Sequence, residues 1–471
     1  MFIDGDKDDS GRTFYLTFLE NNGENPPSYY TIFITTKETT TVVFTVEAPG
    51  IGFSTEGETT FGVVANVTIP SNLTASSTQS TYQRGVIVRS VNGGSLLVYC
   101  LNEERFSTDA FLALPYVSNA STSLGQVDGL FTYVFAAYDY SQNVGPSLAA
   151  VVAHEDGTNI TVFPRSSDFG RVEYGSTVSL FYTGEETSLT LKRGETIYMR
   201  TNDDMTGSVV TSTSPITLLS GMKCTQVPQG LQRCDHIVEQ IPPVSTWGSR
   251  FVTVPLQQRE SYDVFRFIAG HNCISVTVSC VNGISGEVSP PIEFQLNQTE
   301  FHEMNISSLH YCLVSSNNGI LVVQYSIGTE ADGISADPFM AIVPPIDRAS
   351  HQYTFITPKS SVQVYNHFIN LVIPAIFYQP SEITIDGKPL LMLTNDIVSI
   401  AVNGPIAYYA ARVELADGSH TLSHSNVLAQ MVLLVYGYGI KNSYGYPGAY
   451  AIHALGEFVL YTTGALPHAC T

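Results

Sequence analysis

A strand–turn–strand pattern that recurs along the chain limits its possible folds more than any other feature of the sequence. The first half of each copy is VRSVNGGSLLVYC (Val88–Cys100), VTSTSPITLLSG (Val210–Gly221) or VSSNNGILVVQYS (Val314–Ser326). An Asp then opens a further apolar strand that ends at Pro, in DAFLALP from Asp109, DHIVEQIPP from Asp235 and DPFMAIVPP from Asp337. VNGPIAYYAARVE (Val402–Glu414) is interpreted as a degenerate fourth copy of the first half.

The repeats predict an all-β fold built from tandem, packed β-sandwich-like units. Runs such as TVVFTVEAP alternate apolar and polar residues, and Asn-Gly and Asp-Gly dipeptides that favour tight hairpins separate many of them. The copies recur at intervals of roughly 100 residues, a length typical of β-sandwich domains. A propeller-like arrangement is the alternative, although its repeats are usually about 40–50 residues long.

The expected organisation is a disordered acidic tail followed by three units. The tail comprises residues 1–13, and the first unit, with its N-terminal strands, comprises residues 14–205. The second unit spans residues 206–309, and the third spans residues 310–471 with the partial fourth copy. Because no low-complexity linker separates the copies, the units are expected to pack on one another.

Composition excludes some classes of function. The net charge of −21 opposes binding to a phosphate backbone, so nucleic acid is not an expected partner. No apolar stretch has the length of a membrane-spanning helix. The N-terminus lacks the apolar run of a signal peptide, so a fragment or an incomplete N-terminus is expected.

Two signals favour an extracellular compartment. Asn-x-Ser/Thr triplets mark candidate glycosylation sites at Asn66, Asn72, Asn119, Asn159, Asn297 and Asn305. The seven cysteines contain no CxxC motif, and the candidates for disulfide bonds are Cys224, Cys234, Cys273, Cys280 and Cys312. An odd number leaves at least one thiol free or paired outside this chain.

Few residues suggest chemistry. Asp203 and Asp204 are weak candidates for a Ca²⁺ site, because two carboxylates fall short of the six to eight oxygens that Ca²⁺ takes. No other cofactor is expected. In CDHIVEQIPPVSTWG (Cys234–Gly248), Asp235 and Glu239 are candidate acids for a glycan hydrolase. Four residues along a strand separate them by about 13 Å, which disfavours that pair.

The repeats favour a structural reading of that stretch. Asp235 aligns with Asp109 and Asp337, so a carboxylate that accepts backbone N–H bonds at a strand start is expected. Trp247 is expected in the core. The aromatic run VYGYGIKNSYGYPG suggests either packed strand ends or a contact surface formed by Tyr436, Tyr438, Tyr444 and Tyr446.

Several separated motifs resemble the N-terminal domain of the IgG Fc-binding protein family. They are DAFLALP, VVAHEDGTNITVFP, DMTGSVVTSTSPITLLSG, SGMKC…RCDHIVEQIPPVSTWGSRF and YGYGIKNSYGYPG, in that order, and the resemblance covers roughly Phe14–Gly448. It implies a Cys224–Cys234 disulfide and a secreted, mucus- or surface-associated glycoprotein. The cysteine-rich von Willebrand type D modules common in that family are absent from this chain.

The sequence therefore predicts a non-enzymatic extracellular binding or adhesion module. Its expected partners are extracellular glycoproteins or mucin-type proteins, with immunoglobulin Fc suggested by the family name alone. The alternatives are a carboxylate-dependent glycan hydrolase and a structural matrix protein.

Overall fold

The computed structural model describes residues 10–22, 29–73, 83–116, 129–140, 145–165, 170–174, 177–181, 185–231, 233–333, 335–360, 362–402 and 404–450. Strands dominate these ranges and every strand pair is antiparallel, which confirms the all-β prediction. The strands form several separate sheets, and no barrel or propeller closes within the described ranges. None of the helices there has the length and apolarity that a membrane crossing requires.

Unit 1 (residues 10–116) is a sandwich of two four-stranded sheets, ordered β1-β6-β3-β4 and β5-β2-β7-β8. Its strands are β1 Thr13–Leu16, β2 Tyr29–Thr35, β3 Val42–Ala48, β4 Phe53–Thr59, β5 Ala65–Ile69, β6 Val86–Ser90, β7 Leu97–Glu104 and β8 Ser107–Ala113. Of the predicted acidic tail, residues 1–9 lie outside the described ranges, whereas Gly11 pairs with Leu96 and β1 begins at Thr13.

Unit 2 (residues 129–243) pairs a six-stranded sheet, ordered β13-β12-β15-β10-β17-β18, with the four-stranded sheet β14-β11-β16-β9. Its strands are β9 Phe131–Val134, β10 Ser147–Ala153, β11 Thr158–Phe163, β12 Gly170–Tyr174, β13 Thr177–Phe181, β14 Thr187–Leu191, β15 Thr196–Thr201, β16 Val209–Ser212, β17 Ile216–Thr225 and β18 Asp235–Gln240.

Unit 3 (residues 248–345) is one seven-stranded sheet organised around its long strand β24, which pairs with β19, β20, β21 and β25. Its elements are β19 Gly248–Thr253, β20 Tyr262–Ala269, β21 Ile274–Asn282, β22 Ile292–Leu296, β23 Phe301–Ser307, β24 His310–Tyr325, the short helix α1 Thr329–Asp332 and β25 Met340–Ile342.

Unit 4 (residues 350–450) packs the sheet β26-β32-β28-β29 on the sheet β30-β31-β27-β33-β34. Its strands are β26 Gln352–Thr357, β27 Asn366–Pro374, β28 Ile383–Ile385, β29 Lys388–Pro389, β30 Ile397–Ile400, β31 Tyr408–Leu415, β32 Gly418–His424, β33 Val432–Gly439 and β34 Asn442–Pro447. Single 3-10 turns occur at Pro49–Ile51, Ser71–Leu73, Val244–Thr246, Ile346–Arg348, Ala375–Phe377 and Leu390–Met392.

The sheets divide the chain differently from the predicted boundaries. Strand β24, which begins at His310, pairs with β20 and β21, so the boundary expected at 309/310 runs through a single sheet. The second strand of the predicted fourth copy is β31, a sheet strand between β27 and β30. The hairpin β33–β34 is the counterpart of the repeated strand pairs in units 1, 2 and 3.

The units share a continuous core, as expected of units that pack on one another. One buried apolar cluster includes Tyr99 of unit 1, Ile237 of unit 2, Tyr325 of unit 3 and Tyr446 of unit 4. Hydrogen bonds also join the units: the Tyr325 hydroxyl of unit 3 donates to the Ala137 carbonyl of unit 2 at 2.6 Å. Separating the units would expose these side chains, which favours a rigid assembly.

Candidate functional site

The last strands of the four units meet at the centre of the molecule. Strand β8 contacts β18 and β34, and β25 contacts the same two strands, so the four form a closed circuit. We call this arrangement the central axis. Its contacts advance in the same direction along all four strands. Arg105 and Asp109 of β8 lie near Asn442 and Gly445 of β34, and Thr108 and Asp109 bind Asp235 and Val238 of β18. On β25, Met340 binds Asp109 and Ile342 binds Glu239. The four strands therefore begin at the same end of the axis.

Asp109 is the polar centre of this axis. Its Oδ1 accepts the N–H groups of Ala110 at 2.8 Å and Gly445 at 3.2 Å. Its Oδ2 accepts the N–H groups of Val238 at 2.9 Å and Met340 at 3.2 Å. One carboxylate thus holds backbone groups of all four units. Complete burial raises the pKa of Asp109 well above its usual value, although the four backbone donors oppose that effect.

Asp235 and Glu239 also accept backbone hydrogen bonds at the central axis. Asp235 Oδ1 accepts the N–H of Thr108 at 2.8 Å, and Glu239 Oε1 accepts the N–H of Ile342 at 3.0 Å. Both side chains are buried. Burial raises the pKa of each carboxyl, with Asp337 adding to the shift at Asp235 and Asp109 adding to the shift at Glu239. Their burial removes the access to a sugar ring that a glycosidase needs, so they are not catalytic candidates.

Two of the three recurring Asp residues therefore accept hydrogen bonds from another unit, in addition to those in their own loop. Asp109 and Asp235 each bind a neighbouring unit, as described above, whereas Asp337 contacts Thr329 in its own unit at 3.4 Å. Comparison of the chain's own repeats predicted that the Asp at each of these three positions accepts backbone N–H bonds. The two carboxylates that fit this expectation also bind N–H groups more than 100 residues away in the chain. The local sequence does not reveal these distant partners.

His236 is a neutral structural residue. Asn102 Nδ2 lies 3.0 Å from His236 Nε2 and also donates to the Leu19 carbonyl, so Nε2 is the accepting nitrogen. Nδ1 then carries the proton and donates to the Met222 carbonyl at 2.8 Å. Burial lowers the pKa of His236 to about 4. Both ring nitrogens are occupied, so the imidazole is not available for acid–base chemistry or for a metal ion.

The cysteines follow the sequence prediction in part. Cys224 and Cys234 form a disulfide across the loop between β17 and β18, as the resemblance implied. Cys280 and Cys312 form a second one between directly opposite positions of β21 and β24, and Cys273 is also disulfide-bonded. Cys100 is a buried free thiol. Trp247 is buried, as expected, and its indole N–H donates to the Pro242 carbonyl at 3.0 Å.

The candidate calcium ligands contribute to an ion-pair network. Asp204 Oδ2 lies 2.7 Å from Nη1 of Arg266, a buried guanidinium that also contacts Asp139 and Glu303 at 2.8 Å each. Burial raises the pKa of Asp204, but Arg266 and the hydrogen bonds from Thr206 together outweigh that effect, so the net shift is downward. Asp203 Oδ1 accepts the Asp204 N–H at 2.8 Å. In the described ranges, no three His, Cys, Asp or Glu side chains cluster as metal ligands.

The four tyrosines proposed as a contact surface are buried in the core, and this prediction is wrong. Tyr436, Tyr438, Tyr444 and Tyr446 are 0–4% exposed. Tyr436 donates to Asn370 Oδ1 at 2.8 Å, and Tyr446 donates to the Ile356 carbonyl at 2.6 Å. The glycines between them explain the packing. A Cβ on Gly445 would lie 2.2 Å from the Phe339 ring, so only glycine admits that ring between the strands.

All candidate glycosylation sites within the described ranges are exposed. They are Asn66, Asn72, Asn159, Asn297 and Asn305, whereas Asn119 lies outside those ranges. Among the described strands, β5 and β23, which carry Asn66 and Asn305, are edge strands of their sheets. Asn159 Oδ1 accepts the Thr190 hydroxyl at 2.7 Å, so its amide is partly occupied.

A groove of about 390 Å³ lies at the junction of units 3 and 4. Its lining combines side-chain amides, carboxyls, one guanidinium and apolar groups, from Gln257, Gln258, Phe368, Leu391, Met392, Leu393, Thr394, Asn395, Asp396, Arg412 and Glu414. Met392 is 77% exposed and Leu391 is 55% exposed. The groove offers polar groups for orientation beside apolar contact area, which suits a bound side chain or sugar.

An unpaired strand edge runs beside the groove. Strand β30 pairs with β31 only up to Ala411, and the Arg412 N–H donates to the Asp396 carbonyl at 3.1 Å. Beyond this point, the side of β31 that faces away from β27 has no strand partner at Glu414 among the described residues. Arg412 forms an ion pair with Asp396 at 2.8 Å. This site was not predicted from the sequence, because nothing in LLMLTND indicates that these residues line a groove.

Comparison with known proteins agrees with the resemblance. The sequence model described as "IgGFc binding protein" matches residues 109–437. This match begins at Asp109, the carboxylate at the centre of the axis, and ends within β33. An "IgGFc-binding protein" of Homo sapiens is 26% identical over 197 residues, which is 42% of this chain. That alignment spans 3% of the human protein, so the chain corresponds to a small part of its relative.

Proposed function

The chain belongs to the IgGFc binding protein family, and from this membership we propose that it is a non-enzymatic, extracellular binding module. The observation that carries the proposal is that the polar groups of the central axis, including the two candidate acids, are buried and take part in structural hydrogen bonds. Asp109, Asp235, Glu239 and His236 are committed to contacts between or within units, as the preceding distances describe. The surface, in contrast, offers the groove between units 3 and 4.

The compartment is inferred from covalent chemistry. Disulfides persist in oxidising environments, and this chain contains the Cys224–Cys234 and Cys280–Cys312 bonds. The exposure of Asn66, Asn297 and Asn305 supports glycosylation during secretion. We therefore propose a secreted glycoprotein that adheres to mucus or to a cell surface.

The proposed partners are extracellular glycoproteins, including mucin-type proteins. Immunoglobulin Fc is a specific candidate, because the name of the human relative states that ligand. The groove supports such binding through the exposed Met392 and Leu391 side chains and the Arg412–Asp396 ion pair in its lining. A Ca²⁺ requirement is not proposed, because Asp204 is paired with Arg266.

Surface plasmon resonance with the secreted chain tests the proposal. IgG Fc and a mucin-type glycoprotein serve as immobilised ligands, and saturable binding to at least one is expected. Met392→Asp should weaken that binding by about tenfold, because it places a charge in the apolar rim. Ile376→Asp is the matched control, since Ile376 is an apolar residue 84% exposed outside the groove lining. Absence of saturable binding to both ligands would favour a structural matrix protein instead.

A further inference from the structure

The end of the central axis at which its four strands begin carries a group of cations. Arg105 and Phe106 form the turn between β7 and β8, and Ile440 and Lys441 form the turn between β33 and β34. Arg233 precedes β18 in the disulfide loop. Three units therefore each bring one basic residue to this end. We call the five residues the axis-end surface.

Contacts across units hold this surface together. The Arg105 guanidinium lies 4.9 Å from the centroid of the Phe106 ring, and Lys441 Nζ lies 5.1 Å from the same centroid. Asn442 Nδ2 also donates to the Arg105 carbonyl at 3.2 Å. One aromatic ring thus orders two cations from different units. Cations fixed in this way lose less conformational entropy when they bind a ligand.

The charge of the surface opposes that of the chain. The whole sequence carries a net charge of −21, yet Arg105, Arg233 and Lys441 form no ion pair with any described residue. Burial raises the pKa of Asp337 to about 6, and both Arg233 and Lys441 act against that shift, so both cations lie within electrostatic range of the same carboxyl. Glu330 is an exposed carboxylate that also acts on Asp337. Among these described residues, the three cations outnumber the exposed Glu330 carboxylate.

Apolar area accompanies the cations. Ile440 is 75% exposed and Phe106 is 52% exposed, in the two turns that carry Lys441 and Arg105. Exposed apolar residues placed among unpaired cations are typical of a protein contact with an acidic partner. An anionic polysaccharide would use the cations but would gain little from the aliphatic Ile440 side chain.

We propose that the axis-end surface is a docking site for an acidic protein segment that also carries apolar side chains. Arg105 and Arg233 pair with carboxylates through two parallel N–H groups, and Lys441 adds a third positive charge. Ile440 and the exposed part of Phe106 contact the apolar side chains of the segment. This inference rests on the proposed binding function and identifies a second surface for it, distinct from the groove.

The test uses fluorescence anisotropy with the full chain and a labelled synthetic peptide of Glu and Leu residues. Saturable binding is expected, and it should weaken at least tenfold between about 0.05 M and about 0.5 M NaCl. A peptide with Lys in place of Glu should not bind. The salt and peptide comparisons use the unmodified protein, so they do not depend on the folding of any variant.

Substitutions then locate the site. Lys441→Glu and Arg105→Glu should each weaken peptide binding about tenfold, and Ile440→Ala should weaken it about threefold. Arg193→Glu is the control, since its side chain is 52% exposed and its turn binds Ala153, which pairs with Ile216 at the end of β17 opposite to Asp235. Unchanged affinity in Lys441→Glu and Arg105→Glu overturns the proposal.

Two further outcomes separate this inference from the proposed function. If a heparin fragment competes fully and Ile440→Ala has no effect, the surface binds anionic glycans and the protein-segment proposal is wrong. If the chain binds IgG Fc or a mucin-type glycoprotein but not the acidic peptide, the inference fails while the proposed function stands. If the chain binds none of these ligands, both fail.

Discussion

The Asp109 carboxylate in unit 1 accepts the backbone N–H of Gly445 in unit 4 at 3.2 Å, across 336 residues of chain. The same carboxylate binds N–H groups of units 2 and 3. This contact closes the circuit of four axis strands, because it joins the first of them to the last. A single buried acid therefore links the stability of all four units.

We expect Asp109→Asn to destabilise the whole chain by about 1–3 kcal/mol. Asn keeps one acceptor oxygen, but its NH₂ group faces two of the four backbone donors, which then lack a partner. Urea unfolding followed by tryptophan fluorescence measures the change, since Trp247 is buried in the core that the four units share.

Asp417→Asn is the control for this substitution. Asp417 is 46% exposed and lies 3.7 Å from Lys359, so the change should cost less than about 0.5 kcal/mol. Equal effects of the two variants would contradict the role assigned to Asp109.

The Cys224–Cys234 bond should stabilise the chain by about 3 kcal/mol relative to Cys224→Ser, because it closes a short loop of the unfolded chain. Peptide mapping without reduction should recover the two cysteines in one linked pair. Denaturation without reduction should expose Cys100 to alkylation and leave Cys224 unmodified, which provides an internal control. Alkylation of Cys224 under those conditions would show that the bond is absent.

The sequence predicted where the strands lie along the chain, but it did not predict which strands of other units they contact. The repeats marked β8, β18 and β25 correctly as strands that follow a paired apolar strand. They did not reveal that these strands meet at one axis, because the contacts join positions more than 100 residues apart. Alternation of apolar and polar residues specifies which face of a strand is buried, but not which unit covers it.

The aromatic run near the C-terminal end of unit 4 shows the same limit. Alternating Tyr and Gly reads as an exposed contact surface when only polarity is considered. The structure buries all four tyrosines because Gly437 and Gly445 leave space for rings: a Cβ on Gly437 would lie 2.5 Å from the Tyr444 ring. The groove and the axis-end surface were not predicted for a related reason. Their residues come from separate parts of the chain, and none of them belongs to a recognisable motif.

Replacement of Arg266 should be costly, because this buried guanidinium joins units 2 and 3. Arg266→Met leaves Asp204 and Glu303 without their cation, and we expect a loss of about 3 kcal/mol at neutral pH. Arg266 lowers the pKa of Asp204, so its stabilising effect is present above the unfolded-state pKa and fades as pH falls through the lower folded-state value. The cost of the substitution should therefore shrink in acid.

Arg250→Met is the matched control. Arg250 pairs with Asp347 at 2.8 Å but is 57% exposed, so its loss should cost less than about 1 kcal/mol. Urea unfolding of both variants at neutral and acidic pH provides the comparison. A cost for Arg266→Met that grows in acid would contradict the ion-pair explanation.

Asp263 should make stability fall as pH rises through weak acid. Burial raises the pKa of Asp263 to about 6, against about 3.9 in the unfolded chain, although the Leu256 N–H and Gln324 Nε2 donate to its Oδ2 at 3.0 and 3.1 Å. The folded state therefore holds the proton more tightly. The stability that this proton supplies is complete below about pH 4 and is lost as pH rises through about 6.

Asp263→Asn removes this titration while keeping an acceptor oxygen for the Leu256 N–H. A shift of about 2 pKa units corresponds to about 3 kcal/mol, so between pH 4 and pH 7 the variant should gain stability relative to the parent by up to that amount. Only the difference between the two proteins is informative, because Asp204 and Asp347 have lowered pKa values and shift the stability of both in the opposite direction. Parallel pH profiles for the two proteins would mean that Asp263 is ionised throughout this range.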